Sequence, residues 1–180
     1  MAPRLGPSSY AILGVLSLAG PQTPYGIKQA IGRTVGYYWP FPHAQLYAEA
    51  ARLAQLGLAS ETREPVGRRR KTYSITDGGR SALREWLAGP TDEPAQFRDL
   101  GLLKLAFSSG ADVAVRQSLQ RDQLAAHQGR LRAYEQYAQI PMDLALRATL
   151  ELGIRYERVA VEFWRDLAHD EGTQPEPDVP

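Results

Sequence analysis

The chain has 180 residues, 43% of them hydrophobic and 23% charged, with no cysteine and a formal net charge of +1. This balance fits one large or two small globular domains with a sizeable core, and excludes disulfides. No apolar run approaches the ~18 residues of a membrane span, and a cysteine-free chain suits a reducing cytoplasm.

The small net charge hides a split. Residues 1–90 carry 11 Lys/Arg against 5 Asp/Glu, a net of +6, whereas residues 91–180 carry 10 against 15, a net of −5. Such asymmetry predicts that the first half meets a polyanion and the second does not.

In chain order, residues 1–7 lack apolar periodicity and read as an arm carrying Arg4. The apolar stretch Tyr10 to Ala19, preceded by one Arg, has some features of a signal peptide. Gly6-Pro7-Ser8 is instead a helix start, with Ser8 or Ser9 expected as the cap. Ile12, Leu13, Val15, Leu16 and Leu18 cover most of that helix, which predicts burial. Gly20-Pro21 stops it. Thr23-Pro24 starts a second helix to about Gly36, with Ile27, Ala30, Ile31 and Val35 inward and Lys28 off that face. The aromatic passage Tyr37-Tyr38-Trp39-Pro40-Phe41 then turns the chain. Its rings either fill the hinge between helices or line a pocket for an aromatic effector.

A third helix is expected from Pro42 to Gly57, with Leu46, Ala50, Leu53 and Leu56 in the core and Gly57 as a left-handed cap. LASETRE reads as a strand, Pro65-Val66-Gly67 as a turn, and Thr72 to Ile75 as a second strand. Thr76 caps a fourth helix with Leu83, Trp86 and Leu87 inward. Three helices, a hairpin and a helix make a winged helix-turn-helix, because a lone hairpin must lie on helices to bury a face. The predicted class is mainly α: this winged helix over 1–90, a helical dimerisation domain over 91–169 and a disordered tail over 170–180.

Beyond a linker at Gly89 to Pro94, Phe97 to Phe107 reads as a short apolar helix. A long helix follows to about Gln139, with Leu124, His127, Leu131, Tyr134 and Ala138 on one stripe. The last helix, Met142 to about His169, carries two stripes. One is Met142, Ala145, Thr149, Leu152, Tyr156, Val159 and Phe163; the other contains Leu146, Leu150, Gly153, Ala160, Trp164 and Leu167. Two stripes need two partners, one within the chain and one outside it. The first stripe, with Phe97 and Leu100, is therefore the expected dimer interface.

The expected DNA-contacting residues follow from position. Arg68, Arg69, Arg70 and Lys71 lie at a projecting hairpin tip suited to phosphates. His43, Ala44, Gln45, Tyr47 and Ala48 occupy the first turns of the third helix, the part that meets base edges in a major groove. Arg52 and Lys28 complete the set. No catalytic constellation is present: the three histidines are scattered, there is no cysteine nucleophile, and neither a metal site nor a cofactor is expected.

YGIKQAI, a Trp before the third helix, QLYAEAARLAQLGLASE and GRRRKTYSITDGGRSALREWL together resemble the PadR-type winged-helix regulators. FRDLGLLKLAF and the two long helices resemble their C-terminal dimerisation region. The sequence departs from the usual pattern at Ala48 and Ala50, where the family often has proline and leucine. The resemblance implies a homodimeric repressor that binds double-stranded operator DNA, in some members released by phenolic or other small hydrophobic compounds. Tyr37, Tyr38, Trp39 and Phe41 are the candidate effector contacts. A protein-binding winged helix that never touches DNA is the alternative.

Overall fold

The computed structural model describes residues 4–36, 38–64, 70–91, 94, 96 and 98–173, with no side chains described beyond His169. The chain divides into two compact units, residues 1–93 and 94–180.

In the first unit, α1 spans Pro7–Ala19, α2 Pro24–Thr34 and α3 His43–Gln55. The cap of α1 is Gly6 rather than either serine. Pro7 takes the first helical position, where its missing N–H costs nothing. Ser8 and Ser9 thereby fall inside the first turn and are buried, and the Ser9 hydroxyl accepts the Gly6 N–H at 3.1 Å. Thr23 caps α2 as expected, accepting the Gly26 N–H at 3.0 Å. α3 ends in a left-handed Gly57 (φ +70°), and the Leu58 N–H closes back on the Leu53 carbonyl at 2.9 Å.

The wing is an antiparallel pair, β1 Ala59–Arg63 and β2 Lys71–Ile75, in the register Ala59↔Ile75, Glu61↔Tyr73 and Arg63↔Lys71. Gln22, between α1 and α2, adds a rung to β2. It donates to the Tyr73 carbonyl at 2.9 Å and accepts from the Tyr73 N–H at 2.8 Å. α4 spans Asp77–Ala88. Thr76 caps it through the Gly79 N–H and donates to the Gly57 carbonyl at 2.7 Å, which joins the end of α3 to the start of α4. A Cβ on Gly79 would meet the Leu58 carbonyl oxygen at 2.1 Å, so only glycine permits this approach.

The core of this unit contains Ile12, Leu13 and Leu16 of α1, Ile27 and Ile31 of α2, Leu46, Ala50 and Leu53 of α3, with Tyr73, Ile75 and Leu83. Four residues expected inside are not: Leu18 is 63% exposed, Leu56 37%, Trp86 50% and Leu87 66%. Leu18 lies in the last turn of α1, next to its end at Ala19. Leu56 is the C-cap of α3, beyond its packed turns. In α4 the Leu83 turn reaches the core, whereas Trp86 stacks on Tyr10 with ring centroids 4.5 Å apart and planes 8° from parallel.

In the second unit, α5 spans Leu100–Ala106, shorter than the helix expected over 97–107, and Phe97 lies outside the described residues. Asp99 caps α5 through the Leu102 N–H at 3.0 Å. A 3-10 turn over Ser108–Gly110 leads to α6, Val113–Tyr137, and then α7, Leu144–Thr173. α7 runs past the end expected at His169, so the expected tail begins in helix; its remainder, 174–180, lies outside the described residues. α6 and α7 form a hairpin. Gln120, His127 and Tyr134 of α6 are buried, as are Leu150, Ile154, Glu157, Val161 and Trp164 of α7. Its only close charged contact of two fully buried partners, among the described residues, is His127 Nδ1 to Glu157 Oε2 at 2.6 Å. Arg130 Nη2 also lies 2.8 Å from the same ring nitrogen. Arg130 donates to the other Glu157 oxygen at 3.0 Å.

Candidate nucleic-acid interface

α3 separates its faces by spacing. Leu46, Ala50 and Leu53 turn inward, while His43, Ala44, Gln45, Tyr47 and Ala48 are exposed. The first turns of α3 thus present a surface of a histidine, a tyrosine, a glutamine and two alanines. Gln45 leans onto α1, its Nε2 donating to the Ser8 hydroxyl at 3.2 Å. Tyr47, for which the sequence allows DNA contact and packing under the hairpin equally, is 40% exposed.

Arg52 is engaged within the chain. Its Nε and Nη2 donate to the two oxygens of Glu49 at 2.8 and 2.9 Å, and Nη2 also reaches the Arg4 carbonyl at 3.4 Å. Glu49 accepts the Ser9 hydroxyl at 2.5 Å. Burial works to raise the Glu49 carboxyl, but the hydrogen bonds from Arg52 and Ser9 and the Arg52 charge override it, so it titrates below the usual carboxylate range.

At the wing, Arg70 is exposed, and Arg68 and Arg69 lie outside the described residues. Lys71 donates to Glu61 at 3.2 Å, Arg63 to the same carboxylate at 2.9 Å, and the Tyr73 hydroxyl at 3.0 Å. Donation by Arg63 first, then by Tyr73 and Lys71, holds the Glu61 carboxyl at about 2. Burial and then the Glu61 bond push the Tyr73 hydroxyl up. Arg63, not among the expected DNA contacts, stands opposite Lys71 in the β1–β2 register. Lys28 of α2 lies with its ammonium 5.9 Å from the Tyr25 ring centroid.

The aromatic passage is split. Phe41 packs against the winged-helix core, whereas Tyr38 and Trp39 are about half exposed, with Trp39 and Phe41 rings 6.5 Å apart. Tyr37 lies outside the described residues. In the second unit, an open groove of about 820 Å³ runs between α5 and α6, lined by Leu103, Phe107, Val115 and Leu119 with Lys104 and Arg116. Nothing in the sequence reading pointed to it.

On the first stripe of α7, Leu152 is 70% exposed, Val159 64%, Phe163 43% and Tyr156 39%, and Ala145 is exposed. Met142, just before the helix, and Thr149 are half-buried, and Leu100 of α5 is exposed. Among the described residues, this apolar face of α7 is thus left largely exposed.

Residues 12–85 match the family described as transcriptional regulator PadR-like, and residues 97–169 match the region described as virulence activator alpha C-term. The negative transcriptional regulator PadR of Bacillus subtilis (strain 168) is 31% identical over 124 residues, covering 68% of each chain. The fold is similar to that of Bacillus subtilis PadR in complex with operator DNA, with a TM-score of 0.78, 23% identity and coverage of 93% of this chain and 99% of that one. It is also similar to PadR in complex with p-coumaric acid, with a TM-score of 0.71, 23% identity and coverage of 95% and 100%. From the winged helix with its basic hairpin to the helical second unit, the chain belongs to the PadR-like family of transcriptional regulators.

Proposed function

We propose that this regulator acts as a homodimeric repressor on a roughly palindromic operator, in the cytoplasm and without enzymatic activity. The observation that carries the reading is the exposed first half of α3 beside a basic wing, both held on one apolar core. His43, Ala44, Gln45, Tyr47 and Ala48 would meet base edges, with Arg68, Arg69, Arg70, Lys71 and Lys28 on phosphates. The Bacillus subtilis relative has been crystallised on operator DNA, which supports the same partner here. Pairing through the α7 stripe, with Phe97 and Leu100, would present two copies of α3 to successive major grooves ~34 Å apart.

A small aromatic acid is the proposed effector class. The B. subtilis protein binds p-coumaric acid in a crystal, and Tyr38, Trp39 and Phe41 offer rings here, with Tyr37 beside them in sequence.

The test is a gel shift with DNA upstream of the protein's own gene, titrated with salt. The protein should bind that DNA in preference to an unrelated duplex. Gln45→Ala should change the sequence preference. Arg69→Ala with Arg70→Ala should weaken every sequence and flatten the salt dependence, by about 0.9 in slope for each phosphate left unneutralised. Unchanged salt dependence would remove the wing from the interface. No binding to any duplex would favour the protein-binding alternative.

A further inference from the structure

The stripe Gln45, Glu49 and Arg52 runs along the seam between α3 and the first turn of α1. Arg52 lies one turn beyond Ala48 and two beyond Ala44, so it borders the face proposed to read DNA. A long cation there, next to two alanines, is placed to reach a phosphate at the edge of a groove. In this protein it does not point there freely. One donating edge, Nε with Nη2, is held by both oxygens of one carboxylate, at 2.8 and 2.9 Å. That carboxylate is fixed in turn by the Ser9 hydroxyl, forty residues away in sequence, and its side chain is only 12% exposed.

The arrangement is more than an ordinary helix pair. An exposed i,i+3 ion pair contributes little to stability in water. Here the acid is tied to a second helix, so it cannot swing off Arg52 by a simple rotamer change. A carboxylate on a DNA-facing helix would also repel phosphates if it were not neutralised. The pair therefore leaves the net charge of this part of α3 at zero, in a half of the chain that is otherwise strongly basic.

We infer that Glu49 tunes affinity by withholding Arg52 from the DNA backbone, which lowers affinity for all sequences alike and leaves discrimination to the first turns of α3. Phosphate contacts strengthen binding without reading sequence, so withholding one weakens binding to operator and random DNA by the same factor and leaves their ratio unchanged. The inference rests on the DNA-binding reading given above. It assigns Arg52 a role opposite to the DNA contact expected from sequence.

The experiment uses the full chain and a fluorescently labelled duplex of arbitrary sequence, with anisotropy followed from roughly 50 to 200 mM KCl. Glu49→Gln should bind this duplex several-fold more tightly than the wild type. Its plot of log affinity against log salt should steepen by about 0.9 per protomer, as each freed arginine neutralises one phosphate. Adding Arg52→Gln to Glu49→Gln should return the slope to the wild-type value. A structural role for Glu49 alone would change the melting temperature and leave the slope where it was. An unchanged or flatter slope in Glu49→Gln overturns the inference, as does a double variant that keeps the steep slope. Glu49→Ala serves if Glu49→Gln does not fold, with the same expected slope. If the wild type binds no duplex at the lowest salt, the DNA-binding reading itself fails.

Discussion

The two units bury their interiors in opposite ways. Residues 4–91 close an apolar core from α1, α2, α3, the wing and α4, and the serines buried beside it have hydrogen-bond partners. The α6–α7 hairpin instead encloses Gln120, His127 and Glu157 and leaves Leu152, Val159 and Phe163 outside. Gln120 Nε2 and His127 Nε2 are buried with no hydrogen-bond partner among the described residues. The buried serines of the first unit thus find partners within the chain. The second unit leaves buried polar atoms beside its seam and an apolar stripe of α7 exposed, the kind of surface a second chain would cover.

The sharpest way to break that contrast is to charge the exposed stripe. Val159→Glu together with Leu152→Glu should convert the proposed dimer to a monomer by sedimentation while circular dichroism stays helical. A variant that remains dimeric would move the interface elsewhere. The same kind of change in the first unit should strike folding instead. Leu53 is fully buried in α3, and Leu53→Ala should cost about 2–5 kcal/mol in a urea titration, a range set by how far the site collapses. A destabilisation well below that range would mean the winged-helix core is looser than its packing indicates.

A smaller effect sharpens the picture at the wing. The Glu61 carboxyl is held at about 2 in the fold, against an ordinary 4.5. A depressed carboxyl contributes stability that is present above its unfolded value and lost as pH falls toward its folded one. The melting temperatures of the wild type and Glu61→Gln should therefore differ at neutral pH and converge between pH 4.5 and about 2. A difference that persists unchanged at pH 2 would show that the ionised carboxylate is not what ties Arg63, Lys71 and Tyr73 together.

The parts of the fold legible in the sequence are those set by local chemistry. Thr23, Gly57 and Thr76 mark helix ends because a hydroxyl or a left-handed glycine acts within three residues of itself. The buried side of α3 through Leu53 follows from a spacing of three and four. What failed was the extent of burial: periodicity gives a face, but it does not say where the neighbouring helix stops, so Leu18, Leu56, Trp86 and Leu87 read as interior when they are not. The links across long separations, Gln22 to Tyr73 and Ser9 to Glu49, leave no trace in spacing at all. For the interface itself, the exposed face of α3 could be read from sequence. The intramolecular ties of Gln45, Arg52 and Lys71 could not, because each depends on a residue from another element or on the final rotamer.

The His127–Glu157 contact has a consequence for alignment. Two helices joined only by an apolar seam can slide by a turn and still cover most of the same surface. A buried carboxylate removes that freedom, since moving α7 by one turn along α6 would carry Glu157 away from both His127 and Arg130 and leave its charge without a counterpart. The pair works as a notch, fixing how far along the hairpin each residue of the outer α7 stripe comes to rest.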